Sequence, residues 1–156
     1  MKVRAFRVVK KRWAKTAFDG EGARLWGGRW NTPGRPAVYC AGHVSLAILE
    51  VVVHADLALA PHYVVIPVDF DEALVELLDA ARLPASWRRH PAPASVVALG
   101  DEWLREARSP VLRVPSVVVP AEPNFILNPL HPAFREIEIG KAEVLQVDAR
   151  LAKGRG

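Results

Sequence analysis

The sequence holds a single cysteine, Cys40. One thiol cannot form an intramolecular disulfide, and a metal centre built from several thiolates is excluded with it. Such sparing use of cysteine suits the reducing cytosol, so a cytoplasmic protein is expected. Long apolar runs are also missing. No stretch approaches the roughly 20 uninterrupted apolar residues of a membrane-spanning helix. The segment Met1-Lys2-Val3-Arg4-Ala5-Phe6-Arg7 interrupts its apolar residues with charge and lacks the apolar core of a secretory leader. No contact with a membrane is therefore expected. There is no internal repeat and no low-complexity tract. The G-x-G-x-x-G spacing of a dinucleotide-binding turn is absent, and Ser116 has no G-x-S-x-G context that would make it a nucleophile. His43, His54, His62 and His131 lack the short spacing of zinc ligands, so no metal is expected.

What is present is a chain of 156 residues, 51% hydrophobic, enough to build the core of one domain spanning 1–156. Charge is segregated. Residues 1–35 carry ten Lys and Arg against Asp19 and Glu21, a local net charge of +8 in a chain whose total is +4. Residues 36–81 contain no Lys or Arg at all. A positive segment of this kind attracts anions without saying which. Alternation of basic and apolar residues predicts a strand over Val3–Val9, followed by a short helix over Lys11–Phe18. Glu21–Gly28, with three glycines, reads as a loop. Short strands are expected at Arg29–Asn31 and Ala37–Cys40, around a turn at Thr32-Pro33-Gly34. A buried helix is expected over Ser45–Ala55 and a buried strand over His62–Phe70. Asp71–Ala80 reads as an amphipathic helix and Ala94–Ala107 as another. Further strands are expected at Pro115–Val119, Asn124–Leu127 and Glu136–Val147, the last broken at Gly140. Strands and helices mix without strict alternation, which points to an α+β, mixed α/β domain.

Several residues stand out chemically. Glu50 lies between Ala47-Ile48-Leu49 and Val51-Val52-Val53, and on a helix its neighbours are Leu46, Ala47, Val53 and His54. A carboxylate among apolar residues is costly unless paired or hydrogen-bonded, and so marks either a functional site or a structural ion pair. In Leu25-Trp26-Gly27-Gly28-Arg29-Trp30-Asn31, paired glycines let backbone approach a ligand. Arg29 offers a planar fork for phosphate, and Trp26 and Trp30 offer rings for stacking. The same stretch also reads as a tight turn with core tryptophans. Tyr39 ends a short apolar strand. Ser116, Asn124, Asn128 and His131 are polar residues bracketed by apolar strands, suited either to line a pocket or to cap turns.

Taken in order, Gly22-Ala23-Arg24, Gly27-Gly28-Arg29-Trp30-Asn31, Val38-Tyr39, Leu46-Ala47 through Leu49-Glu50-Val51, Val114-Pro115-Ser116 and Asn124 through Asn128-Pro129-Leu130-His131-Pro132 resemble the RES domain family. One departure is Cys40-Ala41 after Tyr39, where many relatives carry a small hydroxyl residue. The resemblance implies a core like that of ADP-ribosyltransferases, of mixed β-sheet flanked by short helices, around an NAD+ cleft. It implies a toxin that degrades NAD+ at the nicotinamide–ribose bond, by hydrolysis or by phosphorolysis with inorganic phosphate as co-substrate. Some relatives instead transfer ADP-ribose to a protein. No cofactor is implied, since NAD+ is the substrate. The implied partner is an Xre-like antitoxin that occludes the cleft, with no direct contact to nucleic acid except through it. Carried over by motif, Arg29, Tyr39 and Glu50 fall in the active site and Ser116 in the pocket. Glu50 would stabilise the oxocarbenium character of the ribose, Arg29 would hold a phosphate, and Tyr39 would pack against the nicotinamide or its ribose. Arg7 and Arg24 are further phosphate ligands, and Trp30 and Asn124 further substrate contacts. Two readings compete with an enzyme. One is a nucleic-acid-binding module using the basic segment and its interleaved Trp13, Phe18, Trp26 and Trp30. The other is a structural partner that docks another protein through apolar surface.

Overall fold

The computed structural model describes residues 1–54 and 62–152. The alternating N-terminal stretch is strand β1, Lys2–Lys10. It pairs antiparallel along its whole length with β3, Tyr63–Asp71, from Lys2↔Asp71 to Lys10↔Tyr63. On its other side follow β2 (Val38–Ala41), β6 (Pro123–Leu127), β5 (Val111–Pro115) and β4 (Val75–Leu77). Two short strands, β7 (Glu138–Ile139) and β8 (Glu143–Val144), pair with β3 to complete an eight-stranded sheet. Its pairs are antiparallel apart from β4 with β5, which run parallel. Helices α1 (Glu21–Trp26), α2 (Val44–Val52) and α3 (Ala94–Glu106) flank it, which is the mixed α/β architecture expected.

Both faces of the sheet are covered, so its inner strands are apolar without a clean alternation. Phe125 and Leu127 join one core cluster while Ile126 between them joins another; Val111 and Leu112 divide in the same way. The second cluster is closed by Val96, Leu99, Trp103 and Leu104 of α3. Here Gly100 matters, because a Cβ on it would lie 1.8 Å from the carbonyl oxygen of Trp30. Helix α3 therefore rests backbone-on-backbone against the Arg29–Asn31 turn. A third, smaller cluster packs Leu46 and Ala47 of α2 on Ala41, Phe6 and Val8.

Several local expectations are corrected. Glu21–Gly28 is not a loop, since Glu21–Trp26 forms a helix. Asp19 accepts the Glu21 N–H at 2.9 Å, Glu21 pairs with Arg24, and Gly27 at φ 73° stops the helix. The glycine was a terminator rather than a sign of coil. Arg29–Asn31 is not a strand but a tight turn with a bridge between Gly28 and Asn31. Asp71–Ala80 is not a helix. Asp71 caps a short 3-10 turn, Val75–Leu77 pairs with β5, and Leu77 is left exposed, so no apolar helical face forms. The strand expected over Pro115–Val119 ends at Pro115, because the Ser116 hydroxyl takes the N–H groups of Val118 and Val119 and turns the chain. The helix expected to reach Ala55 ends at Val52, and Ala55 itself lies outside the described residues. No described helix is long and apolar enough to cross a membrane.

One joint in the sheet positions the site. β1 and β2 register at a single pair, Phe6↔Ala41. Beyond it Arg7 reaches across, donating from Nη1 to the Tyr39 carbonyl at 2.9 Å and from Nε to the Ala17 carbonyl at 2.5 Å.

Candidate active site

Where β1 and β2 part, a cleft of about 500 Å3 opens. Phe6, Arg7 and Val8 line it from one strand and Tyr39, Cys40 and Ala41 from the other. Helix α2 crosses this gap on Leu46 and Ala47, and Glu50 follows one turn later on the same side, facing the cleft.

Glu50 Oε1 accepts two hydrogen bonds, from Ser116 Oγ at 3.0 Å and from Asn124 Nδ2 at 2.9 Å. Both donors are neutral, and no cation among the described residues forms an ion pair with this carboxylate. The charge is thus oriented without being cancelled. Ser116 is fully buried, and its hydroxyl gives its one proton to Glu50 while accepting from Val118 and Val119 N–H, each at 3.1 Å. Its oxygen is saturated, so Ser116 aims Glu50 rather than attacking anything. Asn124 lines the cleft beside it, and its Oδ1 is buried with no partner among the described residues. An unpaired acceptor of this kind suits a hydroxyl donor on a ligand.

Arg29 also lines the cleft. Its Nη1 donates to the Trp87 carbonyl and its Nη2 to the Arg89 carbonyl, each at 3.0 Å. Of its five N–H donors, three have no partner among the described residues. Burial lowers the basicity of its guanidinium, while Glu50 and Tyr39 act the other way. Arg7 is similarly weakened by burial, and two of its donors are spent on carbonyls. Tyr39 presents its ring to the cleft, but its hydroxyl is engaged. It donates to Asn31 Oδ1 at 2.5 Å and accepts the Trp30 N–H at 3.2 Å. Burial raises the phenol above its ordinary pKa, so it is no acid at neutral pH. Burial likewise pushes the Cys40 thiol up to about 12, which makes it a wall rather than a nucleophile.

The structure thus brings Glu50, Arg29, Tyr39, Arg7, Trp30 and Asn124 to one cleft, with Ser116 behind Glu50. Trp30 is 2% exposed and its indole belongs to the second core, so it offers little surface for stacking. Arg24 is not among the described lining residues; it pairs with Glu21 on the exposed side of α1. Two contributors did not stand out in the sequence. Asn31 is buried and donates to the carbonyls of Ala23 and Thr32, each at 3.0 Å, while accepting from Tyr39, which makes it the hub of the turn. His54, one turn beyond Glu50, lines the cleft; its four-residue spacing from Glu50 was the available signal. Among the described residues no group of three or more His, Cys, Asp and Glu side chains could hold a metal ion.

The fold and the site define a mixed α/β domain with one carboxylate and two guanidinium groups around a strand-gap cleft. Comparison with known proteins assigns its family. The RES domain family matches residues 4–148, and the chain belongs to it. It is 38% identical over 152 residues to "Toxin Res" of Photorhabdus laumondii subsp. laumondii, covering 96% of this chain and 97% of the relative. It is also 38% identical over 141 residues to the "Prs ADP-ribosylating toxin" of Sphingobium sp. (strain YBL2), covering 87% of each. Its fold matches a chain of the M. tuberculosis MbcT-MbcA toxin-antitoxin complex with a TM-score of 0.77 at 20% identity, over 94% of this chain and 85% of that one.

Proposed function

We propose that the chain is the toxin of a toxin–antitoxin pair and that it cleaves the nicotinamide–ribose bond of NAD+ in this cleft. The observation that carries the reading is Glu50, a carboxylate oriented by Ser116 and Asn124 yet free of any ion pair among the described residues. As the bond from the ribose C1′ to the ring nitrogen breaks, its electron pair leaves with nicotinamide, which becomes neutral. Positive charge builds on the sugar, and Glu50 stabilises it. The free Asn124 Oδ1 supplies an acceptor for a ribose hydroxyl. Arg29, with three uncommitted donors, and Arg7 supply positive charge for the pyrophosphate. Water or inorganic phosphate then bonds to C1′ and loses a proton to solvent. No strong general acid is required, which accords with a Tyr39 hydroxyl already bonded to Asn31.

A second reading keeps the same first step and differs in the acceptor. A relative bears the name of an ADP-ribosylating toxin, which favours transfer of ADP-ribose to a protein side chain. The proposed partner in either case is an Xre-like antitoxin that covers the cleft; the fold shared with a chain of a toxin–antitoxin complex supports an antitoxin partner. Incubating the purified chain with NAD+, with and without phosphate, and following free nicotinamide tests the proposal. Release of nicotinamide with ADP-ribose or its 1-phosphate supports hydrolysis or phosphorolysis. Release only when a bacterial lysate is added, with label appearing on a protein, supports transfer. No release under any of these conditions overturns both.

A further inference from the structure

The segment Trp87–Arg89 has no regular structure and lines no part of the cleft, yet it is tied to both sides of the site. On one side its carbonyls at Trp87 and Arg89 each take an Arg29 N–H at 3.0 Å. On the other, Arg88 Nη2 donates to the Val117 carbonyl at 3.1 Å. Val117 follows Ser116, whose hydroxyl holds Glu50. The next residue, His90, sits with its ring 6.3 Å from that of His54 on the Glu50 side. Trp87 anchors the segment by packing, half-buried, against the core cluster that contains Trp30. One short segment therefore holds the cation with its backbone and reaches the support of the carboxylate with the Arg88 side chain.

We propose that Trp87 is a positioning residue. By pinning this segment it presents two carbonyls that fix the plane of the Arg29 guanidinium and turn its remaining donors toward a bound anion. A guanidinium on a long, flexible stem loses rotational freedom when a phosphate immobilises it, and two fixed acceptors on its outer edge remove that freedom beforehand. Trp87 acts through Arg29, so its contribution to ligand binding must vanish when Arg29 is gone. A residue that only fills the core would destabilise the fold equally whether or not Arg29 is present.

The test is a double-mutant cycle read by calorimetric titration of ADP-ribose into the full chain, comparing parent, Trp87→Ala, Arg29→Ala and the double variant. Trp87→Ala is expected to weaken ADP-ribose about tenfold in the parent and by less than twofold in the Arg29→Ala background. Equal weakening in both backgrounds, or none in the parent, overturns the proposal. Arg88→Ala, which cuts the tie to Val117 without emptying the core, is expected to give a smaller loss with the same dependence on Arg29. It stands in if Trp87→Ala does not fold. The ligand arm rests on the nucleotide reading of the cleft, so a ligand-free arm accompanies it. The 15N signals of the Arg29 guanidinium should show hindered rotation in the parent and averaging in Trp87→Ala or Arg88→Ala. Unchanged guanidinium signals in the variants overturn the brace. Hindered rotation in a parent that binds no ADP-ribose overturns the nucleotide reading and leaves the brace standing.

Discussion

The Glu50 carboxylate is held by two neutral donors and pairs with no cation among the described residues, and the proposed reaction places a developing positive charge beside it. Glu50→Gln isolates it. The amide oxygen can still accept from Ser116 and Asn124, so the fold and the hydrogen bonds survive while the charge is lost. Nicotinamide release is expected to fall on the order of 100-fold or more with Tm unchanged. Parent-like rates would remove Glu50 from the chemistry. Ser116→Ala should separate aiming from charge. It leaves the Val118 and Val119 N–H groups without their acceptor and Glu50 with one donor, around a side chain that is itself fully buried. Thermal unfolding should register a loss of roughly 1–3 kcal/mol, and the rate should drop about tenfold. A parent-like rate would mean that Asn124 alone suffices to orient Glu50. Glu50 stood out in the sequence as a charge among seven apolar neighbours, and the motif resemblance placed it in the site. The resemblance placed Ser116 and Asn124 in the pocket, but not their bonds to Glu50, since they lie 66 and 74 residues away and only the fold brings them near.

At the scale of elements, the contact of α3 with the Arg29–Asn31 turn leaves no room for a side chain at Gly100. Gly100→Ala forces the helix away from the Trp30 carbonyl and is expected to cost about 3 kcal/mol or more, seen as a lower denaturant midpoint. A variant as stable as the parent would show that α3 can shift freely. At the other end of α3, Arg108 joins Glu102 and Glu106 to Glu76 on β4, and Arg82 adds a further bond to Glu102. Hydrogen bonds from Arg82 and Arg108 hold the Glu102 carboxyl below its ordinary pKa. Its contribution is therefore complete above the unfolded value of about 4.3 and disappears as pH falls through the lower, folded value. The Tm difference between the parent and Arg108→Ala should be largest near neutrality and close between about pH 6 and about pH 2. A gap that persists at about pH 2 would mean that Arg108 acts by packing. Elements with a strong period, β1, β3 and α3, could be read directly from residue order. Helix α1 could not, because it buries nothing of its own and depends on Asp19, Glu21 and Gly27 at its ends. Strand β4 could not either, because three residues become a strand only beside β5.

Over the whole molecule, part of the positive N-terminal segment pairs with acids of the remainder across the sheet. Lys2 meets Glu138, Arg4 meets Asp69 through two bonds, and Arg7 and Arg29 each give two donors to backbone carbonyls. Segregated charge was plain in the sequence, but its use, much of it internal, depended on pairing across the sheet. Of the interleaved aromatics, Phe18 and Trp30 are buried, whereas Trp26 and Trp13 are exposed, with Arg12 lying over the Trp13 ring. The cleft has the same divided origin. Its charged groups, Arg7, Arg29 and Glu50, come from the first 50 residues, and the groups that hold Glu50 come from Ser116 and Asn124. A chain ending before Val111 is expected to be inert toward NAD+ and harmless when expressed, which growth curves and intracellular NAD+ would check. Growth arrest by such a fragment would show that the support of Glu50 is dispensable. The consequence reaches the ribosome. At about 5–20 residues per second, the 74 residues separating Glu50 from Asn124 take about 4 to 15 seconds to synthesise. Until then the emerging chain carries Glu50 without the Asn124 donor that helps to orient it.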